Sequence, residues 1–344
     1  MSTSKTAVKL WLALNCLMII AMVVVGGITR LTNSGLSIVD WKPIMGAIPP
    51  LSLHEWQQAF AQYQRYPQYK LLNAGMSLHE FKFIFFWEYL HRLLGRLIGV
   101  VFMVPWIYFL LRRRIQGAFA VKLFIGFLLG GLQGALGWFM VKSGLVNEPH
   151  VSHYRLAAHL LLALSVLGYL FWLWLEMDES HPVAAPKSIV RPRALIILLN
   201  LITCIVMLQI TYGAFTAGLK AGFGYNTFPK MNGSWITPDA LQMLPLWRNA
   251  FENPAGVQFI HRTLGWTLLL TTLYFAWLSG RFELKPTLRR SISIFAWAVC
   301  SQFTLGVLTL LFIVPIGVAS LHQFGACMVF ISLLFCHFKL RQPA

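Results

Sequence analysis

The sequence predicts an all-α integral membrane protein: eight transmembrane helices, arranged as two parallel-repeat four-helix bundles. Three observations carry that expectation. They are an apolar composition, eight apolar segments of spanning length, and a histidine–arginine–glycine pattern that returns in the second half. Of 344 residues, 57% are hydrophobic and 11% charged, whereas a soluble domain carries roughly a quarter charged. Mean hydropathy is +0.65. The formal net charge of +17 does not imply nucleic acid, because the basic residues gather at the ends of apolar segments rather than in one stripe.

The spans are expected at about 10–28, 83–111, 121–141, 156–176, 194–216, 257–279, 291–314 and 318–338, each long enough for a bilayer. With the N-terminus inside, the short inner connections receive 15 of the 28 basic residues. That positive-inside bias places both termini in the cytoplasm. Lys5 and Lys9 precede an apolar run too long for a signal-peptide core, so the first span is expected to stay uncleaved.

The long first outer loop contains Ser52-Leu-His-Glu55, a capping box followed by Leu53, Trp56, Phe60 and Tyr63 at helical spacing. An amphipathic helix on the outer surface is expected there. A second box, Ser77-Leu-His-Glu80, opens the approach to the second span. The aromatic stretch Tyr63 to Tyr69 reads as interfacial packing rather than as the lining of an entrance.

A polar segment, 181–193, divides an N-terminal half, 1–180, from a C-terminal half, 194–344. Gly26, Thr29 and Gly35 of the first half correspond to Gly213, Thr216 and Gly222 at an offset of 187, and Gln133–Gly137 corresponds to Gln302–Gly306. An even number of spans in each half makes the repeat parallel. Asn253-Pro254 is an N-cap with a first-turn proline ahead of the sixth span. Glycines 126, 130, 134 and 137 read as close helix packing in preference to a ligand groove. The five cysteines lie in apolar segments without a C-x-x-C pair and read as small buried hydrophobes.

The chemistry sits in Glu88-Tyr-Leu-His91-Arg92-Leu-Leu-Gly95 and its echo 170 residues later, Gln258-Phe-Ile-His261-Arg262-Thr-Leu-Gly265. Ionisable side chains inside a span are expensive and mark function. His91, His159, His261 and His322 fall one in each even-numbered span, all in the outer half of the membrane. Two imidazoles facing across a four-helix bundle suit a haem iron, whereas closed zinc wants four ligands together. Arg92 and Arg262 are candidates to meet haem propionates with their guanidinium forks, or else to snorkel outward. Glu88, replaced by Gln258 in the echo, is the one carboxylate that could exchange protons beside a histidine. It could instead pair with Arg92 or Arg96, one turn away or more on its own helix.

Taken together, E-x-x-H-R in the second span, H-R in the sixth, single histidines in the fourth and eighth, and Gly-Gly-Ile-Thr-Arg-Leu-Thr-x-Ser-Gly-Leu-Ser at 26–37 resemble the haem A synthase family. The resemblance covers nearly the whole chain. It implies oxidation of a ring methyl of haem O to a formyl group, giving haem A for terminal oxidases. It implies substrate haem at His91 and His159, cofactor haem b at His261 and His322, and an essential glutamate at Glu88. The first outer loop has no cysteine pair, so the chain is similar to the proteobacterial and mitochondrial type. A bacterial inner membrane is expected, with the haem sites toward the periplasm. The implied partners are haem O, the haem O synthase that supplies it, an unidentified electron donor and the bilayer, with room for a homo-oligomer and no nucleic acid.

Two rivals are distinguishable. A di-haem cytochrome b would stack its irons across the membrane, while here all four histidines sit at one depth. A haem exporter would need a polar pathway that these spans lack.

Overall fold

The computed structural model describes residues 3–40, 45–144, 150–177 and 192–341. It is helical, and among the described residues the one β feature is an isolated bridge between Met231 and Ser234. Among the described residues, eight helices are 24 residues or longer: α1 (Thr3–Leu31), α4 (Leu78–Leu111), α5 (Gly117–Gly144), α6 (His153–Glu176), α7 (Arg193–Gly218), α8 (Pro254–Ser279), α9 (Pro286–Leu311) and α10 (Ile316–Arg341). Two shorter ones, α2 (Leu53–Tyr63) and α3 (Pro67–Leu72), fill the first loop. Seven of the long helices are apolar enough to cross a membrane; α8 is not among them. Gln258, His261, Arg262, Thr263, Thr267, Thr271 and Thr272 dilute its apolar content. The chain is a multi-pass helical membrane protein. The expected linker lies outside the described residues apart from Pro192 and Arg193.

The chain forms two compact units, Met1–Val166 and Leu167–Ala344. In the first, α1 packs along α4. Trp11 meets Phe102 at 5.0 Å and Phe109 at 5.6 Å between ring centroids. Its indole Nε1 donates to the carbonyl of Val101 at 2.8 Å. Val101 lies four residues before Pro105, inside α4. Proline has no N–H to offer that carbonyl, so Trp11 supplies the missing donor from a neighbouring helix.

Both capping boxes form. Ser52 caps α2 and Ser77 caps α4, each with its glutamate reaching back. The backbone amides of Ser52 and Leu51 hold the Glu55 carboxyl below the usual carboxylate range. The amphipathic helix does form, but its apolar face is spent on protein. Trp56 packs on Phe85 at 4.9 Å and Phe60 on Phe81 at 5.0 Å, within a cluster that buries Tyr63, Phe81, Ile84 and Phe85. Tyr63 is fully buried, and its hydroxyl meets Gln68 at 3.1 Å and Asn73 at 2.6 Å. The aromatic stretch is therefore packing, as expected.

In the second unit, α8 lies between α7 and α9, and α10 closes on α9 and α7. Asn253 caps α8, its Oδ1 accepting from the Ala255 amide at 2.9 Å. Five free cysteines are present; Cys16, Cys327 and Cys336 are buried, but Cys204 is exposed. The packing expected of the glycines in the third span fails at 130 and 134. A Cβ at either would meet nothing within 4 Å.

Candidate functional site

In the first unit, each of the two histidines lies against a glycine on the helix before its own. A Cβ on Gly26 of α1 would come within 3.1 Å of His91 Nε2 on α4. One on Gly137 of α5 would come within 3.0 Å of His159 Cε1 on α6. Both distances are tighter than ordinary van der Waals contact, so the absence of a side chain is what lets each ring come this close to the neighbouring helix. Gln133, one turn before Gly137, places its Nε2 3.2 Å from His159 Nδ1 and 3.3 Å from Nε2, and donates to the His159 carbonyl at 3.1 Å.

The second unit repeats this arrangement. Gly213 of α7 faces His261 of α8 with 3.2 Å to Cε1, and Gly306 of α9 faces His322 of α10 with 2.8 Å. The Nδ1 atoms of both histidines are buried without a hydrogen-bond partner, as are Oε1 of Gln209 and Gln302. Buried polar atoms normally find partners. A pair of imidazoles with unspent nitrogen suits an iron that brings its own equatorial ligands. Among the described residues, no three His, Cys, Asp or Glu side chains gather as a metal cluster, and none is needed for such a group. The donor set of the second unit fits a porphyrin iron on this ground; in the first, Gln133 stands against both ring nitrogens of His159.

The two units differ at one position above all. Glu88 is 2% exposed. Its Oε2 accepts from the Ser37 hydroxyl at 2.7 Å and the Ile38 amide at 2.8 Å, and its Oε1 lies 2.6 Å from Arg92 Nη2. Gln258, also 2% exposed, instead donates to the Gly224 carbonyl at 2.7 Å. The carboxylate thus receives donors from the segment after α1, while the amide gives one to the segment after α7.

The arginines that follow the histidines have a use that their sequence position hides. Arg92 donates to the carbonyls of Ile38 at 2.7 Å and Asp40 at 3.4 Å. Arg262 donates to the carbonyls of Tyr225 and of Thr227, the latter at 2.8 Å. Residues 225 and 227 follow 38 and 40 at the offset of 187 already seen in Gly26 and Gly213. Each arginine therefore ties its outer segment down beside its histidine. Of the remaining site residues, Gly26, Gly137, Gly213, Gly306, Gln133 and Ser37 went unrecognised as partners. The glycines of α1 and α7 were visible as a repeat, but nothing in sequence said that imidazoles rest on them.

The family model described as cytochrome oxidase assembly protein matches residues 9–334. The chain belongs to the cytochrome oxidase assembly protein family. Relatives in that range include a protein of Nitrosospira multiformis, 44% identical over 337 residues, covering 97% of this chain and 94% of the relative. Another, from Allorhizobium ampelinum, is 46% identical over 330 residues, covering 95% and 89%. One from Parvibaculum lavamentivorans is 43% identical over 324 residues, covering 94% and 91%. All three carry the name "Heme A synthase". The family match spans both histidine pairs and both arginine ties.

Proposed function

We propose that this protein is a haem A synthase: an oxidoreductase of the bacterial inner membrane that converts a ring methyl of haem O to a formyl group. The observation that carries the reading is the pair of similar histidine sites of which only one has a carboxylate beside it. The relatives' shared name supports it. The halves 1–180 and 194–344 are read as a parallel duplication of four spans each, with α8 completing eight. Both termini are cytoplasmic in this reading, and the histidines lie toward the periplasm.

His91 and His159 hold the substrate haem. His261 and His322 hold haem b, which supplies one-electron redox chemistry when bound. Glu88 is the catalytic group and takes up protons released as the methyl is oxidised. Its place supports this role: it is three residues from His91, so both side chains share one face of α4. Arg92 is bonded to Glu88 and to loop carbonyls, so it holds the carboxylate in position and covers the site. For Arg92 and Arg262 a contact with propionates remains part of the reading; at Arg262 the buried, unbonded Nε is the donor for it. Haem O synthase and an electron donor complete the partners, and self-association is compatible with the fold.

Extraction of the haems from purified protein tests the proposal. Haem b together with haem O or A is expected. Haem b alone would favour a cytochrome b that only passes electrons.

A further inference from the structure

Beyond the histidines, the two units differ in what fills the gap between the helices that flank the site. In the second unit, Phe303 of α9 packs edge-on against Trp266 of α8, with centroids 4.7 Å apart. Phe228, from the outer segment before α8, stacks on Trp266 at 5.7 Å and meets Phe303 at 6.0 Å. Trp266 is 37% exposed, so the three rings lie on the flank of the unit rather than in its core. Phe303 also comes within 4.0 Å of the place a Cβ on Gly265 would occupy, one turn along α8 from His261. On its own helix Phe303 stands three residues before Gly306, the glycine under His322. The rings thus close the α8–α9 flank within about a turn of Gly265 on one helix and of Gly306 on the other.

At two of the three matching positions the first unit carries no ring; the third is Trp41. The 170-residue offset puts Arg96 where Trp266 stands, and the match of Gln133–Gly137 with Gln302–Gly306 puts Gly134 where Phe303 stands. Open space surrounds the Cβ positions of Gly130, Gly131 and Gly134. The position matching Phe228 is 41, outside the described residues.

We propose that Phe228, Trp266 and Phe303 form a lock that keeps haem b resident in the second unit and bars a porphyrin carrying a prenyl tail. The inference rests on the assignment of haem b and haem O to the two histidine pairs. Its physical basis is steric. A farnesyl chain needs an apolar opening beside its porphyrin, and here that opening is filled by rings that each bury a large area. A bound haem leaving sideways must first separate those rings. At the first unit, where substrate has to arrive and product depart, Gly134 and Arg96 put no ring at the two positions that Phe303 and Trp266 occupy in the second.

The test uses the full chain carrying His91→Ala and His159→Ala, so that the second-unit pair alone can hold haem, expressed in cells that make haem O. This parent should contain haem b and no haem O. Adding Phe303→Gly or Trp266→Ala should admit haem O beside haem b and speed haem transfer to apomyoglobin by about fivefold or more, since each change removes two ring contacts. Phe303→Leu, which fills space without a ring, should speed transfer less; it also decides the matter, together with Trp266→Ala, if the glycine variant does not fold. Folded variants that hold haem b alone and release it at the parent's rate would overturn the lock. A parent without haem b would overturn the two-site assignment and the lock with it.

Discussion

Glu88 and Arg92 stand one turn apart on α4, with Oε1 2.6 Å from Nη2, and both also bond the segment after α1. The carboxylate is therefore at once a structural partner and the candidate proton acceptor. The two roles separate in one variant. Glu88→Gln keeps an acceptor for Ser37 and Ile38 but removes the charge opposite Arg92. A charge-assisted hydrogen bond contributes about 1.5–3 kcal/mol, and Arg92 keeps its carbonyl partners, so a stability loss near the low end is expected. Haem A formation per folded, haem O-loaded protein should nevertheless fall to background or stall at a hydroxymethyl product. Activity that drops only in step with folded protein would leave Glu88 a structural residue.

The two histidine pairs should lose different haems. His261→Ala or His322→Ala should remove haem b and abolish conversion. His91→Ala or His159→Ala should leave haem b in place and still block conversion. Haem analysis of the four purified proteins decides this, and equal haem b loss in all four would refute two distinct sites.

The glycines beneath the histidines should behave as spacers. Alanine at Gly306 would put a methyl 2.8 Å from His322 Cε1, against 3.2 Å for Gly213 and His261. Gly306→Ala should disturb the haem absorption and EPR signals of the second unit more than Gly213→Ala does. Unchanged spectra for Gly306→Ala would show that the ring does not need its glycine.

Trp11 should matter because of Pro105. Trp11→Phe leaves the Val101 carbonyl buried without a donor and should cost about 1–3 kcal/mol. In a Pro105→Ala background the restored amide can serve that carbonyl, so the same change should cost less. Thermal unfolding of the four members of this double-mutant cycle measures the difference, and a coupling of zero would disprove the link.

The capping box of α2 should weaken in acid. Hydrogen bonds from the Ser52 and Leu51 amides lower the Glu55 pKa in the folded protein, so its contribution is present above the ordinary carboxylate pKa and is lost as pH falls through the lowered one. Amide exchange at Ser52 and Glu55 should accelerate over that acid window. Ser52→Ala should show fast exchange already at neutral pH.

The helices and their starts were legible because they are local. Ser52, Ser77 and Asn253 announce their caps within a few residues, and the apolar runs announce the spans. The four histidines stood out because a bilayer makes such residues costly. The targets of Arg92 and Arg262 did not, since both bond to carbonyls, which every residue possesses and no pattern marks. The same limit hid the aromatic closure. Phe228, Trp266 and Phe303 are unremarkable in their own segments, and only the fold brings a loop and two helices together. Small residues at 130 and 134 looked like a packing seam because spacing alone cannot say whether another helix is present.

The ties made by Arg92 and Arg262 have a consequence for how such a chain can vary over evolutionary time. Because each guanidinium grips main-chain oxygens at 38 and 40, or at 225 and 227, those bonds do not depend on which side chains stand at the four positions. One half can hold isoleucine and aspartate there while the other holds tyrosine and threonine. The covers over the two sites can thus differ in sequence without either one losing its grip.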